Sequence, residues 1–174
     1  RPSVALGSPT AGALVRGVTL PVAGPDHATW HPVRKRSPNL AWRRTGTDRL
    51  VRLLLRVARE HRRAHPDAPL VLVGDLSRRQ GGYFGPEVSG GPGHVSHQNG
   101  LDADVYYPRR DRRVRAARHP SQVDRRLAQD LVDRFVAAGA RFVFTGPSLG
   151  LRGPPRIVQP LVNHDDHLHV RLAP

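Results

Sequence analysis

Two short stretches about sixty residues apart, 93–104 and 164–171, hold five of the ten histidines and four of the twelve aspartates. The first contains His94, His97, Asp102 and Asp104; the second contains His164, Asp165, Asp166, His167 and His169. Imidazole and carboxylate are common protein ligands of zinc, and catalytic zinc sites use three protein ligands and keep a fourth position open. We read His97, Asp104 and His169 as candidates for such a set, in which Asp102 or Asp165 either orients a ligand histidine or caps a turn.

The elements that must position these residues follow from periodicity. Residues 101–107 alternate, with Leu101, Ala103 and Val105 on one face and Asp102, Asp104 and Tyr106 on the other. Residues 167–172 alternate in the same way, with His167, His169 and Arg171 opposite Leu168, Val170 and Leu172. If the two strands pair, Asp104, His167 and His169 share a face, and the loop before the first strand brings His97 over it.

The glycine-rich loop 78–93 leads into His94, and a loop of that length in a small domain argues for function. A helix is expected from a Thr47 cap to about Ala64, with Arg49, Arg52, Arg56, Arg59, Arg62 and Arg63 on its outer face. A second helix is expected from a Ser121 cap to Gly139, with Val123, Leu127, Leu131, Phe135 and Val136 inward. Short strands are read at 70–73 and 141–144, and an irregular segment or short strand at 157–162. Residues 1–46 read as an extended arm with one or two short strands, along which Trp30 and Trp42 serve packing. His27, His31, His61, His65 and His119 read as surface or capping residues. The expected architecture is one α+β domain over 1–174, a mostly antiparallel sheet flanked by two main helices.

Composition excludes several classes. There is no cysteine, so disulfides, thiolate nucleophiles and cysteine-bound zinc are absent. No apolar run approaches the roughly 20 residues of a transmembrane segment. The chain opens Arg1-Pro2-Ser3, which we read as a form from which any export signal has been removed. The net charge is +14, nearly all of it arginine with Lys35 the one lysine, which favours an anionic partner such as nucleic acid or cell-wall polymers unless it is simply solvated surface. Nucleic acid is disfavoured because two Trp, three Tyr and four Phe leave few aromatics to interleave with the arginines. Glu60 and Glu87 are the only glutamates and no His-Glu-x-x-His motif exists, so a helical glutamate base is excluded. His167, two residues from a ligand on the same strand face, is best placed as general base.

The spacing from His97 to Asp104 and the His167-Leu168-His169 pair resemble the superfamily of lysostaphin-type, D-Ala-D-Ala and murein peptidases and hedgehog domains. More narrowly, the chain resembles the penicillin-insensitive murein endopeptidases. The segments Gly74-Asp75-Leu76-Ser77, Gly81-Gly82, the two polar stretches and the opening residues 3–21 carry that likeness. The resemblance implies a hedgehog/D-Ala-D-Ala-peptidase-like fold and an extracytoplasmic enzyme, periplasmic or secreted, at the bacterial cell wall. It implies Zn2+ on His97, Asp104 and His169 and His167 as base. His94 and His164 match two further active-site histidines, in substrate or oxyanion contacts. The implied activity is hydrolysis of peptidoglycan cross-links such as D-Ala-meso-diaminopimelate. The chain departs from the family in lacking cysteine and in carrying Asp166 where an aromatic residue is common. The competing reading is a non-catalytic, zinc-containing wall-binding module; the intact His167 and the glycine-rich rim favour the enzyme.

Overall fold

Hydrophobic alternation places one face of a six-stranded sheet against helices and leaves the other for polar side chains. The computed structural model describes residues 1–174. A hairpin of β1 (Val4–Ser8) and β2 (Ala11–Val15) opens the chain, followed by β3 (Val18–Thr19), β4 (His27–Thr29) and β5 (Thr45–Gly46). Next come α1 (Asp48–Ala64), β6 (Val71–Val73), the four-residue α2 (Pro86–Ser89) and β7 (Asp102–Tyr106). The chain closes with α3 (Arg125–Ala137), β8 (Phe142–Thr145), β9 (Val158–Pro160) and β10 (His167–Arg171). The main sheet runs β4-β6-β7-β10-β8-β9. Its outer pairs, β4 with β6 and β8 with β9, are parallel, and the three inner pairings are antiparallel. The α+β class holds.

α1 and α3 share one core with the sheet. Leu50, Val51, Leu54 and Val57 of α1 and Leu131, Val132 and Phe135 of α3 meet Ala103, Val105, Leu168 and Val170 there. Because β-strand side chains alternate, that burial sends Asp102, Asp104, His167 and His169 to the opposite face. Thr47 caps α1 as expected, its hydroxyl accepting from the Leu50 amide at 3.2 Å.

The cap of α3 is different from expectation. Asp124, not Ser121, accepts from the Leu127 amide (3.1 Å), while Ser121 sits in a short 3-10 turn, Pro120–Gln122. Val123, expected on the apolar face of the helix, is extended and bridges Arg109, fully buried. Burying Val123 against the strand-like segment keeps residue 123 out of the helix and moves the cap one step on.

Residues 1–46 contain more strand than expected. β3 pairs with β5, and β4 pairs in parallel with β6 to form an edge of the main sheet. Of the histidines expected at the surface or in caps, three are buried, and of these His31 does cap a turn. His27 contacts the Pro21 carbonyl (3.0 Å), His31 accepts from the Val33 and Arg34 amides, and His61 faces Asp130. Each has a polar partner, which is what lets a buried imidazole stand in place of an apolar residue. Trp30 is buried against Tyr106, and Trp42, half-buried, packs on Phe84. No helix is long and apolar enough to cross a membrane.

The cap assignment is open to a direct test. Asp124→Ala should lower unfolding stability by about 1 kcal/mol, whereas Ser121→Ala should be nearly neutral in the same urea titration.

Candidate metal centre and groove

Antiparallel pairing of β7 with β10 sets His169 opposite Asp104, His167 opposite Tyr106 and Arg171 opposite Asp102. Directly opposed residues on one face bring their side chains within reach of each other. The Asp104 carboxylate consequently lies among four imidazoles. Its Oδ1 is 3.3 Å from His97 Nε2, 3.5 Å from His169 Nδ1 and 3.7 Å from His167 Nε2. Its Oδ2 is 3.8 Å from His94 Nδ1.

Each ring has its other nitrogen held. His97 Nδ1 meets the Leu76 carbonyl, and its backbone amide donates to Asp102 Oδ2 at 3.3 Å. His169 Nε2 meets Asp102 Oδ1 (2.6 Å), and Arg171 Nε donates to the same oxygen (2.6 Å). Asp102 thus orients His169, whereas Asp165 accepts from the Ser148 amide and hydroxyl and caps the turn Pro147–Leu149. His167 Nδ1 meets Asp166 Oδ1 at 2.6 Å, so Asp166 anchors this ring. His164 Nδ1 contacts the Val162 carbonyl (2.9 Å), and its ring stands 4.7 Å from that of His167.

His94 brings in residues that the sequence did not single out as functional. His94 Nε2 is 2.8 Å from Asp75 Oδ2, and Asp75 is fully buried in an ion pair with Arg43, whose Nε donates to Oδ1 at 2.8 Å and Nη2 to Oδ2 at 2.5 Å. Asn39 Nδ2 also donates to Asp75 Oδ1 (2.8 Å). Asp75 stood within the Gly74-Asp75-Leu76-Ser77 resemblance, so a signal for it existed. Arg43 is one of many arginines, and only the fold distinguishes it.

The donor atoms suit a metal ion. His97 Nε2 and Asp104 Oδ1 are buried and have no hydrogen-bond partner. A buried polar atom without a partner carries a desolvation cost that a bound cation removes. Two ligands on a tetrahedral ion, with bonds of about 2.0–2.2 Å, stand about 3.3–3.5 Å apart, which matches the 3.3 and 3.5 Å of His97 Nε2 and His169 Nδ1 from Asp104 Oδ1. The donor atoms that cluster within 4.8 Å of one another are those of His94, His97 and Asp104; His169 lies outside that group, with its Nδ1 3.5 Å from Asp104 Oδ1. His97 holds a left-handed backbone conformation, φ 67°, unusual for a non-glycine residue and of the kind concentrated at functional sites.

Electrostatics agree. Burial disfavours the His97 imidazolium, but the nearby charge of Asp104 outweighs it and pushes the pKa up to about 9. Burial dominates at His169 and lowers it to about 4. His167 is raised, burial being outweighed by Asp104 and Asp166. Asp104 is held well below the carboxylate range by its histidines despite burial.

The cluster floors a groove of about 800 Å³, with Lys35, Arg43 and Arg171 among its lining residues and the exposed Val95 and Val162 on its sides. The model of the penicillin-insensitive murein endopeptidase family matches residues 5–142. The chain belongs to that family. The match includes His94, His97 and Asp104 and stops before the strand that carries His167 and His169, so β7–β10 pairing is what adds them. No curated protein matches the chain in sequence. Membership in the murein endopeptidase family supports peptidoglycan hydrolysis, and the chain's His/Asp group is compatible with a metal ion.

Asp75→Ala should lower unfolding stability by about 3–5 kcal/mol, because it leaves Arg43 buried without its counter-charge. Urea denaturation of the purified variant measures that loss.

Proposed function

We propose that this murein endopeptidase is zinc-dependent and hydrolyses peptide cross-links of peptidoglycan, such as D-Ala-meso-diaminopimelate, outside the cytoplasm. His97, Asp104 and His169 hold the metal within one domain of hedgehog/D-Ala-D-Ala-peptidase-like fold. The observation that carries this reading is the pair of buried, unpartnered donors, His97 Nε2 and Asp104 Oδ1, 3.3 Å apart with His169 Nδ1 3.5 Å from the same oxygen. Zinc is favoured over harder ions because two of the three donors are imidazole nitrogens. Asp102 behind His169 supports the assignment, since ligand histidines usually give their second nitrogen to a carboxylate. His94 has a similar support in Asp75, but its free nitrogen is the more distant from Asp104, 3.8 Å, and we assign it to substrate contact.

When bound, zinc supplies a water of lowered pKa and polarises the scissile carbonyl. The protein's own part is proton transfer and positioning. His167, with Nδ1 held by Asp166, keeps Nε2 toward Asp104 and the groove, where it takes a proton from water and returns it to the leaving amine. His94 and His164 line the groove on either side and hydrogen-bond the oxygen that gains charge at the scissile carbonyl. Lys35 and Arg171 offer cations to the carboxylates of a cross-link peptide.

Three outcomes are expected. His169→Ala should lose the zinc of the groove and cleavage together, while His167→Ala should keep that zinc and lose roughly 10²–10⁴-fold in cleavage rate. Metal analysis and muropeptide turnover on the same preparations separate the two; a zinc content in His169→Ala equal to that of the unmutated chain, or full activity in His167→Ala, contradicts the assignments. Asp166 raises the His167 pKa, so Asp166→Asn lowers it and should move the acidic limb of the pH–rate profile to lower pH. An unmoved limb would detach Asp166 from the base.

A further inference from the structure

A second His/Asp cluster lies away from the groove, between the two main helices. His61 and His65 are four residues apart on α1 and its C-cap, which puts their rings one turn from each other, 5.2 Å between centroids. Asp130 of α3 faces both. Its Oδ2 is 2.6 Å from His61 Nδ1 and its Oδ1 is 3.2 Å from His65 Nε2. Donor atoms of all three lie within 4.8 Å of one another.

Two observations set this cluster apart from an ordinary hydrogen-bonded trio. His65 Nε2 is buried and makes no hydrogen bond, although Asp130 Oδ1 is only 3.2 Å away. The same signature, an imidazole nitrogen without a partner about one ligand spacing from a carboxylate oxygen, marks His97 and Asp104 in the groove. His61 is completely buried, and its Nε2 also has no partner. The ring therefore rests on the Asp130 side alone for its polar contact.

We propose that His61, His65 and Asp130 form a second divalent-metal site that ties α1 to α3. A zinc-class ion would take the place of the imidazole protons, and two nitrogens with one carboxylate oxygen are a zinc-like set. Arg134 holds the same carboxylate, Nε to Oδ2 at 2.6 Å and Nη2 to Oδ1 at 3.1 Å, and Arg126 Nη1 is 3.4 Å from His65 Nδ1. A carboxylate has about four lone-pair positions, so Asp130 can keep Arg134 and serve an ion as well. The two guanidinium charges make this the weaker of the two sites. His65 and Asp130 are partly exposed, which gives an ion access from solvent.

The test is metal stoichiometry on the full-length chain stripped with chelator, dialysed against low-micromolar Zn2+ and analysed by elemental mass spectrometry. Two ions per chain are expected, falling to one in His65→Ala and to one in His97→Ala, with the ion left in His97→Ala lost when His65→Ala is added. His65 is at the helix end and partly exposed, so its removal should leave the fold intact, which circular dichroism checks. In the His97→Ala background, Zn2+ should raise the unfolding temperature, and His65→Ala should abolish that rise. Metal content unchanged by His65→Ala overturns the proposal. If the groove holds no metal, the wild type binds one ion that His65→Ala removes and His97→Ala does not, which leaves the second site standing alone.

Discussion

The Asp104 carboxylate is the constraint on which the rest of the structure depends. It is buried, one oxygen lacks a hydrogen bond, and four imidazoles stand around it. A buried carboxylate needs positive charge close by, from protons on those rings or from a metal ion. The fold is arranged to bring that charge from distant parts of the chain. β7 supplies the carboxylate, β10 supplies His167 and His169, and the loop before β7 supplies His94 and His97. The helices take no part in the chemistry, but by claiming the apolar face of the sheet they decide which side chains turn toward the groove.

Behind the four histidines stands a ring of oxygen acceptors, each of which fixes a nitrogen. Asp102 holds His169, the Leu76 carbonyl holds His97, Asp166 holds His167 and Asp75 holds His94. Such contacts set which nitrogen faces the centre and how basic it is. Asp75 is itself locked by Arg43 and Asn39, so the support for His94 reaches back to residues of the N-terminal segment. The N-terminal residues are therefore part of the site's scaffold as well as of the sheet edge.

Much of this was legible in the sequence where a strict period exposed it. The alternation of 101–107 and 167–172 gave the two strands and the face their polar residues share, and Thr47 with its apolar repeat gave α1. Legibility failed where tertiary contacts override local signals. Ser121 looks like a cap, but burial of Val123 moves the helix start to Asp124. His27 and His61 carry no mark in the sequence of the polar partners that allow them inside. Arg43 could be singled out only once Asp75 was seen to be buried beside it, and the choice between orienting a ligand and capping a turn for Asp102 and Asp165 needed their distances.

The central claim is that the two polar stretches create one metal-dependent hydrolase, and its most direct measurement is cross-link cleavage. Purified protein incubated with cross-linked muropeptide dimers should convert them to monomers, as followed by mass spectrometry. A zinc chelator should stop the conversion and added Zn2+ should restore it. Conversion unaffected by complete removal of metal, or no conversion by protein saturated with zinc, would contradict the account.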